Sequence, residues 1–202
     1  MSKVLIISTS LRGNSNSEYL AHECERGAQD AGNEVEFLSL KGKNIGYCIG
    51  CLACQRTGKC VLRDDAAEFC EKVKNADVLV FATPIYYYEM CGQMKTLLDR
   101  LNPLYTSSYR FRKVYMIATA ADSDSAFEKA YNGLLGWVDC FERAERCGLV
   151  TGPGIGDGGT QKITLMRSDV HTNSENRYEK ISSIFRPFPA VLYVPSVFLR
   201  NT

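Results

Sequence analysis

Three uninterrupted apolar runs constrain this chain most. They are Lys3–Ser8 (KVLIIS), Val78–Ala82 (VLVFA) and Val114–Thr119 (VYMIAT). A strand apolar at every position buries both faces, so it needs helices above and below it. Helical stripes stand between these runs. Leu20, Cys24, Gly27, Ala28 and Ala31 form the first, stopped by Gly32-Asn33. Ala66, Phe69, Cys70 and Val73 form the second, and Met94, Leu97, Leu98 and Leu101 the third. A longer stripe runs from Phe127 to Phe141. Val35–Leu40 alternates as a further strand, and Leu149–Thr151 can hold a short fifth one. This β-α-β alternation predicts an α/β fold: a doubly wound, five-stranded parallel sheet in the flavodoxin-like order 2-1-3-4-5.

In that architecture a ligand lies outside the carboxyl ends of the strands, at the point where strand order reverses. Three segments fall there. Ser8, Ser10, Arg12, Asn14, Ser15, Asn16 and Ser17 sit between the first strand and its helix. Hydroxyls, an arginine and free helix amides suit a phosphate monoester. A capping loop rich in serine and asparagine is the competing reading. Neither a G-x-G-x-x-G fingerprint nor a P-loop lysine is present there. Thr83, Pro84, Ile85, Tyr86 and Tyr87 follow the third strand, with Tyr88 beyond them. They suit an aromatic wall for a flat ring, or else a surface loop or subunit contact. Thr119, Ala120 and Ala121 follow the fourth strand, and their small side chains let backbone approach a ligand.

Between the second strand and the second helix lies a compact set of thiols: Cys48, Cys51, Cys54 and Cys60, spaced C-x2-C-x2-C-x5-C. Thiolates are soft ligands, and consecutive x2 steps resemble iron–sulfur ligation. Structural zinc more often takes two separated C-x2-C knuckles, but a zinc staple and a metal-free loop both stay open. Nine cysteines in 202 residues, with no leader-like start before the first strand, point to a reducing cytoplasm. A net charge of +1 offers no field for nucleic acid, and no apolar run is long enough for a membrane helix. Cys24, Cys70, Cys91, Cys140 and Cys147 fall mostly at helical or strand positions and read as core packing; only Cys91, beside the tyrosine loop, stands near the expected site. His22 reads as a solvated helix residue, and no catalytic acid–base pair is visible.

With these motifs in place, the chain resembles the flavodoxin-like NAD(P)H-dependent FMN reductases, most closely their iron–sulfur flavoprotein branch. The phosphate loop is similar to STSLRGNSNS at Ser8–Ser17, and the flavin-ring loop to TPIYYYEMCGQMKTLLDR at Thr83–Arg100. The compact cysteine motif matches Cys48–Cys60, followed by the family's Asp64-Asp65. The resemblance implies FMN with NAD(P)H as electron donor; for the four cysteines it adds a [4Fe–4S] cluster as one reading, beside the zinc staple and the metal-free loop. It also implies a homodimer or homotetramer, and a small-molecule or protein acceptor. An electron-transfer module without a substrate of its own is the alternative.

The resemblance runs from Val4 to about Gly156. Residues 1–162 are therefore expected to form one FMN-binding domain, and 163–202 an atypical tail. Relatives end on a pattern like KxxPxxxxAYxxGK soon after a turn like GPGIGDGG. Here Thr160–Asn176 is polar, and Ile181–Leu199 is apolar and broken by three prolines. Read one nucleotide earlier from Lys162, permitted codons spell NHPDALGRAYKLGKPL and then a stop at the junction of Tyr178 and Glu179. The expectation is that the tail is an out-of-frame translation that has lost the family's last helix.

Overall fold

Each apolar run becomes a strand whose alternate residues feed two separate cores. A computed structural model describes residues 1–155 and 164–166 of the chain. Five strands are parallel: β1 (Lys3–Ser8), β2 (Glu34–Ser39), β3 (Val78–Tyr86), β5 (Lys113–Thr119) and β6 (Glu145–Gly152). Their order, β2-β1-β3-β5-β6, is the expected doubly wound order. β1 lies in register with β2 from Lys3↔Glu34 to Ser8↔Ser39, and with β3 from Val4↔Val78 to Ser8↔Ala82.

The period of two divides the side chains. Leu5, Ile7, Leu79, Phe81, Val114 and Met116 face one core. Val4, Ile6, Val78, Val80, Tyr115 and Ile117 face the other. The first core packs against α3 (Ala66–Asn75), α4 (Gly92–Arg100) and α5 (Glu128–Val138). The second is much smaller and packs against α1 (Asn16–Asp30) through Leu20, Ala21, Cys24 and Ala28. Ser15 caps α1 by accepting from Glu18 N (3.4 Å), and Gly32 ends it at φ +79. Burying one Leu or Phe in these cores contributes about 1.5–3 kcal/mol.

Several elements differ from expectation. β6 begins at Glu145, four residues before the predicted strand, and the last helical stripe ends at Val138, short of Phe141. Two strands are additional and antiparallel. β4 (Glu89–Met90) folds back on the end of β3 as a hairpin. β7 (Thr164–Met166) pairs with β6 from Leu149↔Met166 to Thr151↔Thr164. The cysteine loop contains a short helix, α2 (Ala53–Thr57), which the cysteine spacing hid. Apart from β7, the tail expectation lies outside the described residues.

Candidate functional site

The carboxyl ends of β1, β3, β5 and β6 bring the three predicted segments together. At the reversal point, Thr9 donates from both its N–H (2.8 Å) and its Oγ1 (2.9 Å) to the carbonyl of Ala82, joining β1 to β3. Beyond it the chain leaves the sheet, and Leu11 through Asn14 are exposed. Ser8, Ser10 and Ser17 are fully buried or nearly so, and Ser15 and Asn16 are under a tenth exposed. The Ser15 and Ser17 hydroxyls lie 3.0 Å apart at the start of α1, and the Arg12 N–H donates to Ser10 Oγ (3.3 Å). Asn14 takes φ +52, which asparagine tolerates. A helix N-terminus with paired hydroxyls and an arginine two residues from a buried serine is a place for an anion.

Opposite this loop, Thr83 is buried at the end of β3, whereas Tyr86, Tyr87 and Tyr88 are exposed. Pro84 and Ile85 lie between, half-buried. Tyr86 pairs with Glu89, so Tyr87 and Tyr88 are the two central residues of the β3–β4 hairpin. Both have positive φ (+53 and +66), the backbone of a type I′ turn, which normally selects Asn-Gly. Two tyrosines there carry backbone strain, and such strain concentrates at functional sites. Tyr88 Oη donates to Asp122 Oδ2 (2.9 Å), which ties the tyrosine hairpin to the third segment. The Ser123 N–H first, and then Tyr88, hold the Asp122 carboxyl below its usual range.

The third segment runs from Thr119 and Ala120, both buried, to Ala121, which is exposed. Sequence reasoning missed its partner, the loop after β6. Ala120 N donates to Gly152 O (3.0 Å), Ile155 N to Ala120 O (2.8 Å) and Asn16 Nδ2 to Ile155 O (3.5 Å). Gly152 keeps this junction tight: a Cβ there would fall 2.8 Å from the Ile155 Cδ1 methyl, which would have to shift. Cys91 is buried at the N-cap of α4. Its Sγ lies 3.2 Å from Thr9 Oγ1 and 3.4 Å from Thr83 Oγ1, so it joins the phosphate-type loop to the aromatic one.

The four cysteines form a second locus beyond α4. Cys48, Cys51, Cys54 and Cys60 all border one pocket, floored by Arg100, Asn102 and Pro103. Cys48 and Cys51 are exposed, Cys60 is half-buried and Cys54 is buried. Burial is the main cause raising the Cys54 thiol pKa, and the Asn102 amide, which donates to Cys54 Sγ (3.3 Å), opposes it. Among the described residues, no three His, Cys, Asp or Glu side chains gather as a single metal ion requires. The thiols surround an open pocket instead of closing on a point.

The neck of this loop explains Asp64-Asp65. Asp64 accepts from Gly46 N (2.9 Å) and Ala66 N (3.1 Å), and Asp65 from Asn44 N (2.6 Å). Arg100, buried, grips both Asp64 oxygens (2.6 and 2.8 Å) and the Gly46 carbonyl (2.7 Å). The hydrogen bond from Arg100 holds the Asp64 carboxyl below its ordinary range.

Between the two loci lies a concavity of about 210 Å³, lined by Leu11, Leu40, Ile45, Tyr47, Gln93 and Thr96 among others. Leu11 lies in the phosphate-type string and Gln93 and Thr96 in the Thr83–Arg100 string, whereas Ile45 and Tyr47 carried no sequence signal. Of the remaining thiols, Cys24 and Cys70 are buried, and burial pushes them up to about 12 and about 11. Cys147 is half-buried, and Cys140 is exposed, against the core-packing expectation. Cys140 follows the last turn of α5, where the stripe no longer faces the sheet. His22 lies in the second turn of α1, where it stacks on Phe37 (4.1 Å) and bonds Glu25 (2.8 Å).

The model of the NADPH-dependent FMN reductase family matches residues 2–137. An iron–sulfur flavoprotein of Methanocaldococcus jannaschii is 39% identical over 102 residues, which cover 50% of this chain and 53% of that protein. An iron–sulfur flavoprotein of Archaeoglobus fulgidus is 32% identical over 122 residues, covering 59% of this chain and 63% of that one. The chain thus spans half to under two thirds of these curated relatives. Among solved structures, the NAD(P)H:quinone oxidoreductase of Methanothermobacter marburgensis superposes with a TM-score of 0.62 at 17% identity, over 78% of this chain and 87% of that one. An azoreductase of Bacillus anthracis gives 0.59 at 18% identity, over 77% and 88%. At such identities the likeness is one of fold.

Proposed function

The chain belongs to the NADPH-dependent FMN reductase family, and from that premise we propose that it is an FMN-dependent oxidoreductase taking electrons from NAD(P)H. The observation that carries this reading is the convergence of the Ser8–Ser17, Thr83–Tyr88 and Thr119–Asp122 loops at the reversal between β1 and β3. The residues fit the group. The Ser15–Ser17 hydroxyl pair, Ser10 and Arg12 bind the phosphate at the α1 N-terminus. Thr83 to Tyr87 wall the ring, and the backbone of Thr119–Ala121 closes on its edge. Bound there, FMN supplies the hydride-accepting chemistry, and the protein supplies binding and orientation. No protein acid or base is required.

Cys48, Cys51, Cys54 and Cys60 fit a [4Fe–4S] cluster better than a single zinc. An all-thiol set serves zinc as well, but these thiols border a pocket instead of closing on one point, which suits a cluster better. α4 joins the two loci, with Cys91 at one end and Arg100 at the other. Gly92 to Arg100 is eight steps, about 12 Å at 1.5 Å each. Electrons would then pass between the flavin and the cluster along this short path, while a small acceptor enters at the concavity between the loops. The working form is a homodimer or homotetramer.

Anaerobic purification tests this reading. The protein should release FMN and not FAD, its flavin band should bleach with NADH or NADPH, and iron and sulfide should accompany it. Protein that takes up no flavin on reconstitution refutes the oxidoreductase reading. One zinc per chain with no iron refutes the cluster and leaves the flavin reading standing.

A further inference from the structure

The hairpin that carries the three tyrosines is held by different means at its base and at its tip. At the base, Met90 is buried, and a Cβ on Gly133 of α5 would fall 3.1 Å from its Cε, so hairpin and helix are packed close. At the tip apolar packing is lacking: Tyr87 is open to solvent and Tyr88 is 47% exposed. What fixes the tip is polar. Tyr88 Oη donates to Asp122 Oδ2 (2.9 Å). The Lys129 ammonium, from the first turn of α5, stands 5.8 Å from the centre of the Tyr88 ring.

Asp122 is itself fixed from two sides before it meets Tyr88. Its Oδ1 accepts from Ser123 N (2.7 Å), and its carbonyl accepts from Gly154 N (2.9 Å) in the loop after β6. Asp122 therefore belongs to the edge built by the loops after β5 and β6. The phenol brings the tyrosine hairpin to that edge from 34 residues away.

Such a bond does little for the fold, because both groups are exposed and water competes for each of them. Yet Tyr88 makes it from φ +66, a conformation that costs a tyrosine free energy and a glycine almost none. Strain of this kind persists where neighbouring contacts over-determine it, and it gathers at ligand clamps. A glycine would serve the turn better. Only a side chain that reaches Asp122 closes the gap between hairpin and edge.

We propose that Tyr88 and Asp122 are positioning residues that form a clasp, closing the tyrosine wall against the Thr119–Asp122 edge and retaining FMN between them. This rests on the flavin reading above. Neither side chain takes part in electron transfer. With the clasp formed, the hairpin tip and the edge loop keep a fixed separation, and FMN leaves only after the phenol has let go of the carboxylate. The Lys129 ammonium over the Tyr88 ring favours the closed position.

The test follows FMN release from the loaded protein, read by flavin fluorescence after dilution. Tyr88→Phe keeps the ring and the strained backbone and removes only the hydroxyl. Asp122→Ala removes the acceptor. Each should speed release by about 2- to 12-fold, the rate equivalent of one net hydrogen bond. The double variant should be no faster than the faster single one, because both remove the same bond. Tyr88→Gly supplies the readout that a role in folding alone would not move. Its apo-protein should melt no lower than wild type, since the strain is gone, while its FMN leaves as fast as from Tyr88→Phe. Unchanged release in Tyr88→Phe and Asp122→Ala overturns the proposal. So do single effects that add in the double variant. A Tyr88→Gly protein that melts lower and loses FMN in step also overturns it, since the residue would then only brace the hairpin. Wild-type protein that takes up no FMN on reconstitution removes the flavin reading and the clasp together, whereas bound FMN with unaltered release in the variants removes the clasp alone.

Discussion

Replacing Tyr87 with Asn separates the cost of the tyrosine hairpin from its use. Tyr87 is 99% exposed and sits at φ +53, so its side chain has no contact to lose. Holding an ordinary L-residue in the left-handed region costs about 1–2 kcal/mol. Asn adopts that region readily and is a preferred first residue of a type I′ turn, so Tyr87→Asn should recover about 1 kcal/mol. In a domain of this size that raises Tm by about 2–4 °C. Flavin binding should move the other way. If Tyr87 contributes part of the ring wall, an aromatic contact of about 0.5–1.5 kcal/mol disappears, and FMN affinity falls by about 2- to 12-fold. Thermal melts with and without FMN read both terms at once. The apo-protein should melt higher than wild type, while the increment produced by a fixed FMN concentration shrinks. An apo Tm that is unchanged or lower refutes the strain argument. Unchanged FMN affinity removes Tyr87 from the ring site.

Other consequences follow from the same geometry. Arg12→Ala with Ser10→Ala should weaken FMN by about 1.5–3 kcal/mol, read by fluorescence titration, because a charge-assisted bond and a buried hydroxyl are lost. Asp64→Asn should destabilise the protein by about 3–5 kcal/mol at neutral pH, since buried Arg100 loses its partner. The depressed Asp64 carboxyl contributes stability that is present above the ordinary carboxylate pKa and lost as pH falls through the lower folded value. Wild-type stability should therefore drop steeply below about pH 4, and the Asn variant less so, in denaturant titrations across pH. His22→Ala should leave NAD(P)H turnover unchanged, because that ring stacks on Phe37 and bonds Glu25 and touches none of the site loops. Sequencing the encoding DNA should show codons after Lys162 that read NHPDALGRAYKLGKPL one nucleotide earlier. A chain carrying that ending should be more soluble and hold FMN better, because the smaller core, which α1 covers among the described residues, would gain the family's last helix.

Local chemistry written in the chain accounts for much of this protein. Runs such as KVLIIS and VYMIAT can only be strands covered on both faces, and the stripes between them can only be the covering helices. The doubly wound order, and with it the end of the sheet where a ligand belongs, follows from strand alternation and the right-handed crossover. Ser15 announces a helix start because a hydroxyl there meets a free amide. The four cysteines at C-x2-C-x2-C-x5-C raise the expectation of a ligand site, because soft thiolates so spaced can surround a metal or cluster.

Tertiary structure alone decided the rest, and the reason is distance along the chain. Asp64 reaches Arg100 across 36 residues and Gly46 across 18, so the neck of the cysteine loop has no local signature. The same holds for Asn102 and Cys54, 48 residues apart, and for Asn16 and Ile155, 139 apart. The hairpin at Tyr87-Tyr88 defies its own turn preference, so no propensity could reveal it. β7 adds its strand antiparallel to β6 from a polar stretch without strand periodicity. Periodicity reports which face of an element is buried, but not which side chain waits on the other side.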